Sequence, residues 1–106
     1  MIIAKVLKKQ DGSYYSFSCT GHAGFANAGK DIVCAAVSML VINTANAIEQ
    51  FTDTEFECKA EEQIEWKFIS VPDEKAVLLM DTLLLGLTEI QNEYGKKYLR
   101  LIFEEV

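Results

Sequence analysis

The chain has 106 residues, half of them hydrophobic and a quarter charged, which is enough apolar mass for one domain around one core. Sixteen acidic residues against ten basic ones give a formal net charge of −6. That balance excludes a nucleic-acid backbone as the main partner, which would draw on clustered lysine and arginine, and favours a basic partner.

Residues 2–8 read as a strand ending at an Asp11-Gly12 turn. Residues 13–20 read as a second strand, with Tyr15, Phe17 and Cys19 on one face and Tyr14, Ser16, Ser18 and Thr20 on the other. The short connection makes the two an antiparallel hairpin. Residues 21–30 follow as a loop with three glycines and Asn27, mobile by composition.

Residues 31–51 predict a long helix with Asp31 as N-cap, where a carboxylate accepts from the free N–H groups of the first turn. Apolar residues surround most of its circumference, which predicts burial on more than one side. Ser38, Asn43, Thr44 and Asn46 interrupt the apolar run, so it reads as a buried helix and not as a membrane span.

Two further strands follow. Residues 55–60 point Phe56 and Cys58 inward, residues 63–69 point Ile64, Trp66 and Phe68 inward, and residues 60–62 turn between them. Pro72 opens a second helix where its missing N–H is harmless, followed by Asp73 and Glu74, which suit the helix dipole. Ala76, Val77, Met80, Leu83, Leu84 and Leu87 recur at helical spacing and Gly95 is the stop. Residues 98–103 form the last strand. The order ββαββαβ predicts an α+β fold, one layer of antiparallel or mixed sheet with two helices, as a single domain over residues 1–106.

The chemistry concentrates in GHAGFANAGKDIVCAAVS, which starts at Gly21 and holds the lone histidine, His22, and Cys34. With Asp31 as cap, Cys34 is the third helical residue, where the positive end of the helix dipole favours a thiolate. The same first-turn N–H groups are candidates to stabilise an oxyanion after attack on a carbonyl. Asp31 opposes the first effect with its own charge, and its role is open between capping, orienting His22 and binding substrate. If the strand end and the helix start are neighbours, His22 reaches the sulfur as base toward the thiol and acid toward a leaving amine. Ser38 lies one turn beyond Cys34 on the same face.

Simpler readings stand beside these. A cysteine in an Ile-Val-Cys-Ala-Ala run is ordinarily a small buried hydrophobe, and Ser38 in mid-helix ordinarily bonds back to a carbonyl. Cys19 and Cys58 fall on inward strand faces as core residues. A zinc site from Cys19, His22 and Cys34 is not expected, since Cys19 and His22 point to opposite faces and no C-x-x-C spacing exists. The glycine loop lacks the spacing and hydroxyl of a phosphate-binding loop. A thiol-redox reading is weak, because no resolving cysteine lies near Cys34 in sequence. Three cysteines without close pairing, and no secretory signal, predict a reduced cytoplasmic setting.

Gly21-His22-Ala23, the glycine-containing loop and Gly29-Lys30-Asp31-Ile32-Val33-Cys34-Ala35-Ala36-Val37-Ser38 resemble the signature of the ribosomal-processing cysteine protease family, Prp. The resemblance extends over the whole chain in length, acidic balance and element order. It implies a bacterial cytoplasmic thiol protease that removes a short N-terminal extension from ribosomal large-subunit protein twenty-seven, with no cofactor and no metal. It implies His22 as general base and Cys34 as nucleophile, supported by Gly21, Asp31 and Ser38. Substrate would lie along the loop of Gly24, Phe25, Ala26, Asn27, Ala28, Gly29 and Lys30, which is taken to move on binding. It also implies a homodimer, and neither nucleic acid nor membrane as a direct partner. A non-catalytic ribosome-associated binding module of the same fold is the alternative.

Overall fold

The computed structural model describes residues 1–27 and 29–106. Its elements are β1 (Ile2–Lys8), β2 (Tyr14–Thr20), α1 (Ile32–Phe51), β3 (Phe56–Ala60), β4 (Ile64–Phe68), α2 (Glu74–Tyr94) and β5 (Leu99–Glu105). The five strands form one mixed sheet in the order β3-β4-β2-β1-β5. All neighbours are antiparallel except β1 and β5, which run parallel. This is the expected α+β arrangement, with the last strand returning beside the first.

The helices share a core with one face of the sheet. Ile2, Ala4 and Val6 of β1, Phe17 of β2 and Trp66 and Phe68 of β4 meet Val33, Val37, Val41 and Ile48 of α1 and Met80, Leu83 and Leu87 of α2. Phe17 and Trp66 lie opposite each other across β2 and β4, with ring centroids 4.7 Å apart. Gly86 lets the helices approach closely, since a Cβ there would come within 2.9 Å of Leu40 Cδ1.

Four expectations are corrected. The β1–β2 register shifts between Leu7 and Lys8, so Ser16 pairs with Leu7, Tyr14 pairs with Lys8 and Tyr15 is the extra residue of a bulge. Tyr14 is therefore buried, its hydroxyl donating to Asp81 of α2, while Tyr15 lies on the open face beneath the Lys67 ammonium. Cys58 is exposed, on β3 at the edge of the sheet.

Pro72 stands one residue before the cap of α2. Asp73 is that cap, accepting from the Ala76 N–H at 2.8 Å, and Gly95 ends the helix at φ +106°. Finally, α1 is long and apolar enough to cross a membrane, but one face packs in the core. It is not buried on several sides, and Ile32, Met39 and Ile42 stay exposed.

Candidate active site

The end of β2 and the start of α1 are brought together by the loop over residues 21–30. Gly21 turns the chain out of β2 at φ +86°, where a Cβ would stand 2.3 Å from the Met1 carbonyl oxygen, so no other residue fits. His22 follows, exposed, and Ala23 turns back inward and is buried. The Ala23 N–H donates to Cys34 Sγ at 3.2 Å. That N–H fixes the sulfur at the start of α1, facing the loop.

Asp31 fixes the other side. Its Oδ1 accepts from the N–H groups of Val33 and Cys34, both at 3.0 Å, and its Oδ2 accepts from the Phe25 N–H at 3.1 Å. The Cys34 N–H first, and the Phe25 N–H with it, hold its carboxyl below the ordinary carboxylate range. Asp31 is thus the α1 cap and also ties the loop to the helix. The first-turn amides of Val33 and Cys34, expected as oxyanion donors, are already occupied by its carboxylate.

A groove of about 520 Å³ is lined by His22, Gly24, Ala26, Gly29, Asp31, Cys34, Ala35 and Ser38. A second, smaller cleft shares His22, Cys34 and Ser38 and continues past Gly21 to Glu61, Glu62 and Gln63 of the β3–β4 turn. The structure therefore brings His22, Cys34, Ser38, Asp31, Gly21, Gly24, Ala26 and Gly29 to the groove and the cleft that adjoins it. Among the described residues the Ser38 hydroxyl finds no hydrogen-bond partner, whereas Thr44 bonds back to the Leu40 carbonyl.

Phe25, Asn27 and Lys30 do not line the groove, and Ala28 lies outside the described residues. Phe25 turns to Tyr94 and Tyr98 instead. The Ala23 amide, the acidic β3–β4 turn and this aromatic contact were missed by sequence reasoning. A backbone donor leaves no residue-type signal, and the other two depend on contacts remote in sequence.

The three thiols are chemically distinct. Cys19 faces the same cleft as Cys34 from β2, and burial, with the nearby Cys34 charge, pushes it up to about 11. Desolvation and the charge of Glu49 raise Cys58. Both are disfavoured as nucleophiles near neutral pH. Among the described residues Cys34 alone has a directed N–H on its sulfur together with an imidazole in its groove.

The chain is similar along its length to known proteins. The ribosomal processing cysteine protease Prp of Bacillus subtilis is 31% identical, the match covering 89% of this chain and 90% of that protein. A crystal structure of Staphylococcus aureus Prp with a covalently linked product peptide superposes with a TM-score of 0.92 at 25% identity, covering 98% of this chain and all of that one. SMU.848 from Streptococcus mutans gives a TM-score of 0.84 at 30% identity, covering 100% and 99% of the two chains. The family model for cysteine protease Prp matches residues 1–99, a span that takes in the groove, both helices and four of the five strands, so the chain belongs to the Prp family and is a cysteine protease.

Proposed function

We propose that this cysteine protease removes the N-terminal extension of ribosomal large-subunit protein twenty-seven through a Cys34–His22 dyad, in the bacterial cytoplasm. The observation that carries the assignment is the Ala23 N–H on Cys34 Sγ, inside a groove that His22 also lines. His22 takes the Cys34 proton as sulfur adds to the scissile carbonyl carbon, and the carbonyl electron pair moves to oxygen. Collapse expels the amine, which receives that proton, and leaves a thioester on Cys34. Water, deprotonated by His22, adds to the thioester, and sulfur leaves as the thiol once the proton returns. Nothing but water is consumed.

The relatives support the reading. The Bacillus subtilis and Staphylococcus aureus proteins are named for ribosomal processing, and the latter has been crystallised with a product peptide covalently linked. Glu61 and Glu62, which line the cleft that runs on from Cys34, suit a basic ribosomal segment. Gly21 and Asp31 hold the backbone, Ser38 offers a hydroxyl to bound peptide, and Gly24, Ala26 and Gly29 line the groove that receives it. The exposed Ile32, Met39 and Ile42 of α1 provide a face for a homodimer.

The test is cleavage of an extension-bearing substrate by purified protein. Cys34→Ala and Cys34→Ser should keep the fold and lose turnover by roughly 10⁴-fold, with His22→Ala losing roughly 10²- to 10⁴-fold. Undiminished cleavage by Cys34→Ala would remove Cys34 from the mechanism. Binding of the substrate by wild-type protein with no turnover would favour a binding module of this fold.

A further inference from the structure

The loop between His22 and Cys34 carries one large apolar side chain, Phe25, and that ring faces away from the groove. It stands edge-on to Tyr94, the last residue of α2, with centroids 5.5 Å apart and planes at 83°. It also meets Tyr98, just before β5, at 5.2 Å and 74°. Both are the T-shaped geometry in which a ring edge meets a neighbour's negative face. Tyr94 and Tyr98 pack against the core and are only partly exposed, so this seat is built into the body of the domain.

Among the described residues, the loop is otherwise held by the Phe25 N–H on Asp31 Oδ2 and the Lys30 N–H on the Asn27 carbonyl. Gly24 takes φ +72° and Gly29 φ +82°, in open space, and such a segment has a large conformational entropy to lose. The turn at Gly24 sends its two neighbours in opposite directions. Ala23 goes inward, 3% exposed, with its N–H on Cys34 Sγ. Phe25 goes outward onto the tyrosines, with its own N–H on Asp31 Oδ2.

We propose that Phe25 is a positioning residue: its aromatic clasp on Tyr94 and Tyr98 holds the loop so that the Ala23 N–H stays on the Cys34 sulfur and His22 stays at the groove. Phe25 touches neither sulfur nor groove and acts through Ala23, two residues away. The clasp rests on the contacts themselves, and only its effect on turnover rests on the peptidase reading.

The test combines residue-resolved amide hydrogen exchange with steady-state cleavage, on the full chain as wild type, Phe25→Ala and Phe25→Tyr. Phe25 is 40% exposed, so its truncation leaves the core intact. In Phe25→Ala the Ala23 amide should exchange at least tenfold faster while the Val37 and Val41 amides of α1 do not change. The kcat should fall about tenfold with KM moving less than twofold, as when an interaction serves the reacting atoms and not substrate binding. Phe25→Tyr, which keeps the ring, should restore both.

Unchanged Ala23 exchange in Phe25→Ala would overturn the clasp whatever cleavage does. A raised KM with kcat intact would overturn the positioning role and make Phe25 a substrate contact. Faster Ala23 exchange in Phe25→Ala, in a protein whose wild type cleaves nothing, would support the clasp and refute the peptidase reading instead.

Discussion

Two glycines of the loop have the same backbone sign and different surroundings, and the difference sets what each tolerates. Gly21 combines φ +86° with the Met1 carbonyl oxygen 2.3 Å from where a Cβ would stand, while Gly29 takes φ +82° with nothing within 4 Å. A non-glycine residue in left-handed backbone costs about 1–3 kcal/mol, and at Gly21 the clash adds to it. Gly21→Ala should therefore destabilise by about 3 kcal/mol or more, and Gly29→Ala by about 1 kcal/mol, measured as the change in urea unfolding free energy. Because Gly21 immediately precedes His22, the fraction of Gly21→Ala that folds should also cleave more slowly. Equal costs at the two positions would show that the Met1 contact does not constrain the turn.

The α1 N-terminus joins fold and site, and its pH dependence follows from its cap. The Cys34 N–H holds Asp31 below the ordinary carboxylate value of 3.8, and the Ala76 N–H does the same for Asp73 at the start of α2. A carboxylate depressed on folding contributes stability that is present above its unfolded value and lost as pH falls through the lower folded one. Stability from the two caps should hold from pH 7 down to about pH 5 and decline below about pH 4. Asp31→Asn keeps an oxygen acceptor at the cap, so it should fold near neutral pH and show a shallower acid decline in urea midpoints. An acid decline as steep as wild type would mean the Asp31 bonds contribute nothing to it. Much of this element-level structure is legible in sequence, because periods of 2 and 3.6 and the residues Asp31, Asp73 and Gly95 are local signals. The β2 alternation fails at Tyr14 and Tyr15 because a bulge is a property of two paired strands, not of one. Cys58 fails likewise, since whether an inward face is covered depends on strand order. In the site, His22 and Cys34 are found as residue types in a signature. The Ala23 amide that meets the sulfur is backbone, identical in every residue but proline.

At the scale of the whole molecule, α1 is apolar on two sides and the domain covers only one. Val33, Val37, Val41 and Ile48 face the core, while Ile32, Met39 and Ile42 lie at helical spacing on the far side, 53%, 69% and 47% exposed. A monomer gains nothing from that second stripe, whereas a second copy would bury it at about 25 cal/mol per Å². An interface of ordinary size takes about 800 Å² from each partner, roughly an eighth of this chain's 6750 Å². The stripe starts at the same end of α1 as Cys34, so pairing through it would set the two grooves close to the interface. Replacing Met39 and Ile42 together by glutamate places two more charges on an exposed face of a chain already at −6, which the isolated fold tolerates and a dimer through α1 does not. Sedimentation equilibrium at tens of micromolar should give twice the chain mass for the wild type and the single chain mass for Met39→Glu/Ile42→Glu, with far-ultraviolet circular dichroism unchanged. A wild type that sediments as a monomer would refute the homodimer. A double variant that remains dimeric would move the interface off α1, and the open sheet face around Tyr15 and Lys67 would then be the surface to test.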